Sequence, residues 1–279
     1  MPVPPKSFEE VLARMDAANK AMQHCKDNGL PMPKSLYTME QKQEIIDKGE
    51  VNEKYIVRIV ESKYVSDDGK LGLANKETNQ ASYWTTTYTQ IEHADSNAKM
   101  IWDIVGWEAK EGAEYSLFII DKDKAYERGG MLNVLPTYES LSDILKTEIP
   151  QQFKGEEHLI DEAMTPETSA KYTKIFDYGK SIGLESWEIK EQQNFIGLCG
   201  KLNVTGDKLK LMKVRNDIHN LVGANEEFLG TGLTKGLNGQ DGVVETFTYD
   251  RNPDTIKNLS SGDPPVIKVV NLGKAEKYD

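Results

Sequence analysis

The sequence predicts an α+β protein: a mixed, mainly antiparallel β core that carries an N-terminal helical extension over residues 1–50. Residues 51–279 form the core domain, with a helical insertion at about 154–223. Three observations lead there. Apolar residues three and four apart dominate the N-terminal stretch and the 154–223 block, which is helical periodicity. Between 54 and 123 one segment is β-branched and alternating, a second is rich in Thr and aromatics, and a third is an apolar run that ends at acids, all strand signals. Strand-like segments return late in the chain, so sheet-forming segments flank the helical block on both sides.

The elements follow in order. "SFEEVLARMDAANKAMQ" opens with Ser7 and Glu10 in capping-box spacing and sets Phe8, Val11, Leu12, Met15 and Met22 on one helical face. Its polar side mixes acids and bases, so the face is expected to pack on its own domain and not on a membrane. "NGLPMPKS" breaks the chain, and a short helix over about 38–48 leads to Gly49. "KYIVRIVESKYV", "ASYWTTTYTQI" and "AEYSLFIIDKD" read as three strands. Between the last two, Ala98, Ile101, Trp102 and Val105 have helical spacing. After the third strand comes a loop, then a helix from near Thr137. Thr165 as N-cap with Pro166 at the first helical position starts the next helix, and "SWEIKEQQNFIGL" and "DKLKLMKVRNDIHNLVG" continue the helical block. "GVVETFTYD" and "PPVIKVVNL" close the chain as strands. There is no internal repeat and no low-complexity segment.

Composition narrows the function. A chain of 279 residues with 38% hydrophobic content can build a substantial core. No apolar run approaches the roughly 20 residues needed to cross a bilayer, and the start has neither a basic nor a hydrophobic leader region. A membrane role is not expected. Cys25 and Cys199 could form one bridge at most, which suits a reducing compartment, and both are expected to be ordinary buried thiols. The net charge of −11 argues against nucleic-acid binding, because that affinity comes from clustered cations releasing counterions. The four histidines have no metal-ligand spacing, so no metal is expected. "RNDIHN" places Arg215 and His219 on one helix face. That pair faintly resembles the Arg/His pair of helical ribonucleases, but its spacing is shorter and a solvated charged face is expected.

A glycine-rich stretch runs into a strand near Glu245, and an acid at such a junction is a candidate for chemistry. "GTGLTKG" is one residue too long for a dinucleotide fingerprint and leads into a strand instead of a helix. "LGTGLTKG", followed a few residues later by Glu245 and "TFTYD", resembles the last part of the catalytic domain of poly(ADP-ribose) polymerases. The likeness covers about residues 228–272 and puts Glu245 in the place of the catalytic glutamate, with Tyr249 and Asp250 after it. The toxin-like branch of the ADP-ribosyltransferase superfamily orders an Arg, a Ser/Thr motif and a Glu on early, middle and late strands. Arg58, then Thr85, Thr86 and Thr87, then Glu245 resemble that order. The tyrosine of the polymerase branch corresponds to Tyr83 or Tyr88. There is no histidine in residues 51–62, and Val243 stands two before Glu245 where the arginine-modifying branch has Gln or Glu; the pattern is a hybrid.

The resemblance implies an ADP-ribosyltransferase-type core that takes NAD as substrate and needs no metal. Glu245 would be catalytic, and Arg58, Tyr83, Thr85, Thr86, Thr87 and Gly232 would hold the dinucleotide. Breaking the nicotinamide–ribose bond leaves positive charge on the sugar, which a carboxylate stabilises, while a guanidinium pairs with phosphates. The partner would be an unknown protein acceptor, or water in a simple hydrolysis. Such a protein could be a bacterial toxin or effector, working in its own cytoplasm or delivered to a target-cell cytosol by a non-classical route. The alternative is an acidic, non-enzymatic interaction protein: an immunity, adaptor or nucleic-acid-mimic factor.

Overall fold

The computed structural model describes residues 1–65, 81–94, 96–147, 153, 155–222, 229–250 and 265–278. Within them the protein is mixed α+β, and the chain divides into two compact units, Met1–Leu135 with Leu233–Asp279, and Pro136–Gly232. The first holds every strand. The second is helical and extends beyond the expected 154–223 insertion at both ends. Residues 251–263, expected as a connection, and residue 228 of the ADP-ribosyltransferase resemblance lie outside the described residues.

The sheet consists of β1 (Tyr55–Glu61), β2 (Ala81–Thr87), β3 (Glu114–Asp121), β4 (Leu132–Val134), β5 (Glu245–Asp250) and β6 (Ile267–Lys274), in the order β4-β5-β2-β1-β3-β6. All of its pairings are antiparallel. The segments flanking the helical unit in sequence are therefore interleaved in one sheet: β5, from the C-terminal part, pairs with β2 from the N-terminal part. Register is set by period-two burial. Tyr55, Val57 and Ile59 of β1 enter one apolar cluster with Leu117 and Ile119 of β3, while Ile56 joins Phe118 and Ile120 in a second cluster on the opposite face. A one-residue slip would exchange these faces, which fixes the pairing.

Helices cover the first face. α1 (Phe8–Asn28) buries Phe8, Val11, Met15 and Met22 against Tyr55 and Val57, and each such side chain contributes on the order of 1.5–3 kcal/mol. Only half of the expected capping box forms: Ser7 Oγ accepts from Glu10 N, while the Glu10 carboxylate takes the Lys6 N–H at 2.8 Å. The reciprocal box appears instead on α2 (Met39–Lys48), between Thr38 and Gln41. The third expected strand is followed at once by α5 (Lys122–Gly129), capped by Asp121, and β4 occupies what reads as a loop. The expected strand through Ile91 ends at Thr87, where the chain turns into α3 (Tyr88–Ile91). α4 (Ala98–Ile104) follows the expected spacing, and it buries Ala98 and Ile101 while Trp102 stays half-buried.

The helical unit contains α6 (Tyr138–Thr147), α7 (Glu157–Ala163), α8 (Pro166–Ser181), α9 (Ser186–Lys190), α10 (Gln192–Lys201) and α11 (Gly206–Val222). Thr165 caps α8 as expected, with its side chain accepting from Thr168 N. Tyr172, Phe176 and Phe195 form its aromatic centre. Cys199 is buried, and burial pushes its thiol up to about 11, whereas Cys25 is only half-buried.

Candidate active site

Glu245 is the first residue of β5 and sits opposite Thr86 of β2, which in turn sits opposite Val57 of β1. The backbone before it is held firmly. Thr86 Oγ1 donates to Val244 O at 2.7 Å, and Val244 N donates to Gln90 Oε1 at 3.3 Å. Leu233 and Val244 form an isolated antiparallel bridge, Thr234 N donates to Val243 O at 2.9 Å, and Val243 N donates to Thr234 Oγ1 at 3.0 Å. Residues 233–244 are thus a hairpin folded on itself.

The glycines serve that hairpin. Gly242 has φ +68°, and a Cβ there would lie 2.2 Å from Thr234 O; one at Gly236 would lie 2.2 Å from Gln240 O. Only Gly fits either position. The loop tip is tied to α4: Leu237 N donates to Asp103 O at 2.7 Å and Asn238 Nδ2 to Asp103 Oδ1 at 3.0 Å. Asp103 is buried, and it also accepts from Lys99 and from Tyr278 Oη. On the other side Lys42 Nζ, fully buried, donates to Gly242 O at 2.7 Å. Gly232, expected to contact the dinucleotide, has φ +73° and is the last residue of the helical unit.

Glu245 is half-buried, and its carboxyl has no hydrogen bond or ion pair among the described residues. Burial alone pushes its pKa up to about 8, because a low-polarity setting penalises the charged form and no cation offsets the penalty. An acid so perturbed is a functional-site candidate. Along the same sheet face an aromatic row starts two residues on: Trp84 and Phe247 have ring centroids 5.0 Å apart, and Phe247 and Tyr249 stack at 6.1 Å. Trp84 keeps partial exposure, while Phe247 is fully buried.

Opposed residues of an antiparallel pair share a face, and neighbours along a strand alternate. Glu245, Thr86 and Trp84 accordingly share one face. Arg58 sits opposite Phe118 in the register and belongs to the other face, with Ile56. Arg58 on β1 and Glu245 on β5 are separated by β2, and the register puts them on opposite sides of the sheet. Among the described residues, then, Arg58 and the catalytic candidate Glu245 are not brought together on one face.

Thr85 also lies on the far face, where its hydroxyl is consumed. Thr85 Oγ1 is 2.6 Å from Thr246 Oγ1, and Asn133 Nδ2 lies 3.2 Å from Thr85, 3.0 Å from Thr246 and 2.7 Å from Thr248. This buried knot braces β2, β4 and β5. Thr87 pairs with Ile56 and its hydroxyl reaches Glu53. Tyr83 is described by its backbone alone, opposite Thr248. Tyr88 is buried as the first residue of α3, under the Arg14 guanidinium at 5.8 Å.

Sequence reasoning missed Glu53. It is buried, accepts from Thr89 N at 2.8 Å and from Thr89 Oγ1, and burial raises its pKa against those bonds. It borders a cavity of about 230 Å³ with Tyr37, Thr87, Gln90 and Val244. An acid in "VNEKY" carries no local mark of burial; its partners come from 36 residues away. No group of His, Cys, Asp and Glu among the described residues is arranged to hold a metal.

No protein-family model matches the chain, and no curated protein or solved structure matches it either.

Proposed function

We propose that this protein consumes NAD, cleaving the nicotinamide–ribose bond at Glu245 and passing ADP-ribose to a protein acceptor or to water. The observation that carries the reading is the state of Glu245: a half-buried acid with no partner among the described residues and its pKa at about 8, held at the junction of a Gly-rich hairpin and a strand, on the sheet face that carries a row of aromatic rings.

A cationic nicotinamide ring approaching this carboxyl favours its ionised form, and the proton leaves to solvent. The carboxylate then accepts a hydrogen bond from a ribose hydroxyl. The carbon–nitrogen bond breaks with its electron pair going to the ring nitrogen, so nicotinamide departs neutral and the positive charge passes to the sugar. Opposite charge in a low-polarity site stabilises that sugar cation far more than water would. The acceptor adds through a lone pair at the vacated carbon and gives up its proton. Trp84, which keeps partial exposure on the same sheet face, is an aromatic residue on which a flat ring could stack. Thr86, whose proton already goes to Val244 O, braces the strand, and the dinucleotide phosphates need a donor other than Arg58 on this face.

The test is release of labelled nicotinamide from NAD, with and without a cell lysate as acceptor source. The parent should consume NAD and Glu245→Gln should be slower by about a hundredfold or more, the scale of losing one transition-state-stabilising group. Absence of NAD consumption by the parent in either setting would leave the acidic interaction-protein reading, which the net charge of −11 favours.

A further inference from the structure

The helical unit buries an arginine that the sequence pattern assigns to a solvated helix face. Arg215 of α11 is 0% exposed. Its guanidinium lies over the Tyr172 ring at 4.6 Å, and Nη2 donates to Ser169 Oγ at 3.5 Å. Nε and Nη1, both shut off from solvent, have no hydrogen-bond partner among the described residues. Burial pulls the pKa down only to about 10, so the group is cationic at neutral pH.

A buried cation is normally balanced by a carboxylate, because an uncompensated one is among the costliest groups an interior can hold. Tyr172 does not supply that balance. Its ring offers a quadrupole alone, and its hydroxyl is engaged with Asn216 Oδ1 at 2.8 Å and His219 Nδ1 at 2.8 Å. Nε and Nη1 stay open on different edges of the guanidinium, and each is a charged donor of the kind an oxyanion accepts from. Ser169 accepts from Nη2 and so keeps its own proton to give. We propose that the helical unit holds a small oxyanion, phosphate or carboxylate, on Arg215 with the Ser169 hydroxyl as second donor. This site is independent of Glu245 and of NAD.

The experiment is the thermal midpoint of the full chain in phosphate, and separately in acetate, each against chloride at equal ionic strength. Linkage reports binding however slowly a buried site fills, and about 10 mM anion keeps general salt effects small. At least one anion should raise the midpoint saturably by about 2–4 °C, and the anion that does so names the ligand chemistry. Arg215→Met should abolish the shift. Absence of a saturable shift in the parent with both anions overturns the proposal, as does the same shift persisting in Arg215→Met. Should the Met variant fail to fold, Arg215→Lys decides, since it keeps the charge and loses the fork: apparent affinity at least tenfold weaker supports the site, and unchanged affinity overturns it.

Discussion

If Glu245 sits where ionisation is penalised, the stability of the protein must carry its titration. The carboxyl rises from an ordinary 4.5 to about 8 in the folded state. Between those values the native state binds a proton that the unfolded state has lost, so stability falls as pH rises. The contribution is fully present below pH 4.5 and is lost as pH passes through about 8. At about 1.36 kcal/mol per pKa unit the ceiling is roughly 5 kcal/mol. Water reaching the half-buried carboxylate on ionisation brings the expected figure to about 2–3 kcal/mol. Glu245→Gln keeps the shape and removes the titration. The assay is urea unfolding of parent and variant from pH 5 to pH 8.5, reading the difference between them. That difference should move against the parent by about 2–3 kcal/mol across the range. A difference constant to within about 0.5 kcal/mol would refute the reasoning, because Glu245 would then titrate like an exposed acid, and a normal carboxylate gives this site no special electrostatics.

His93 titrates with the opposite sign. Burial, with the charge of Lys42, holds its pKa down at about 4, so the unfolded chain takes up a proton first and stability should be lost as pH falls from about 6.5 to about 4. Against His93→Gln the parent should lose about 2 kcal/mol over that window by urea unfolding, and a flat difference would mean the imidazole is solvated. Gly242→Ala should cost about 3 kcal/mol or more, since its φ is +68° and its Cβ would meet Thr234 O at 2.2 Å. Gly239→Ala, at φ +80° with nothing within 4 Å, should cost only about 1 kcal/mol; equal costs in denaturant melts would show that the hairpin is not packed as described.

Strand content was legible because period-two alternation needs only neighbouring residues. "YIVRIVE" carries it, "EYSLFIID" reads as a strand from its short apolar run instead, and both are strands. The strand expected through "TYTQI" failed for a tertiary reason: the turn into α3 at Tyr88 is secured by Glu53 accepting the Thr89 N–H, a capping group 36 residues upstream. β4 is three residues long, too short for any period. α11 defeats amphipathic reading in another way: Arg215, Asn216 and His219 lie with Leu211 on its buried face, while Lys210, Lys213, Asp217 and Asn220 keep exposure along the outside, so polarity alone does not mark which side faces in.

The candidate site divides along the same line. Within β1 the alternation that buries Val57 and Ile59 on one face already puts Arg58 on the other, so its side could be read from seven residues. Which face Glu245 takes could not, because "VVETFTYD" is apolar or β-forming at every odd and even place. Its side depends on pairing with Thr86, a partner 159 positions earlier that only the closed sheet supplies. The type of residue at position 245 is written in the chain, but its reactivity is not. An acid becomes distinct from the other acids when the fold buries it with no cation beside it among the described residues, and that setting is made by β2, the hairpin over 233–244 and β5, which come from different parts of the chain. A carboxylate that the fold desolvates with no partner among the described residues is costly to keep, which is the physical reason to look for its use at this residue before any other.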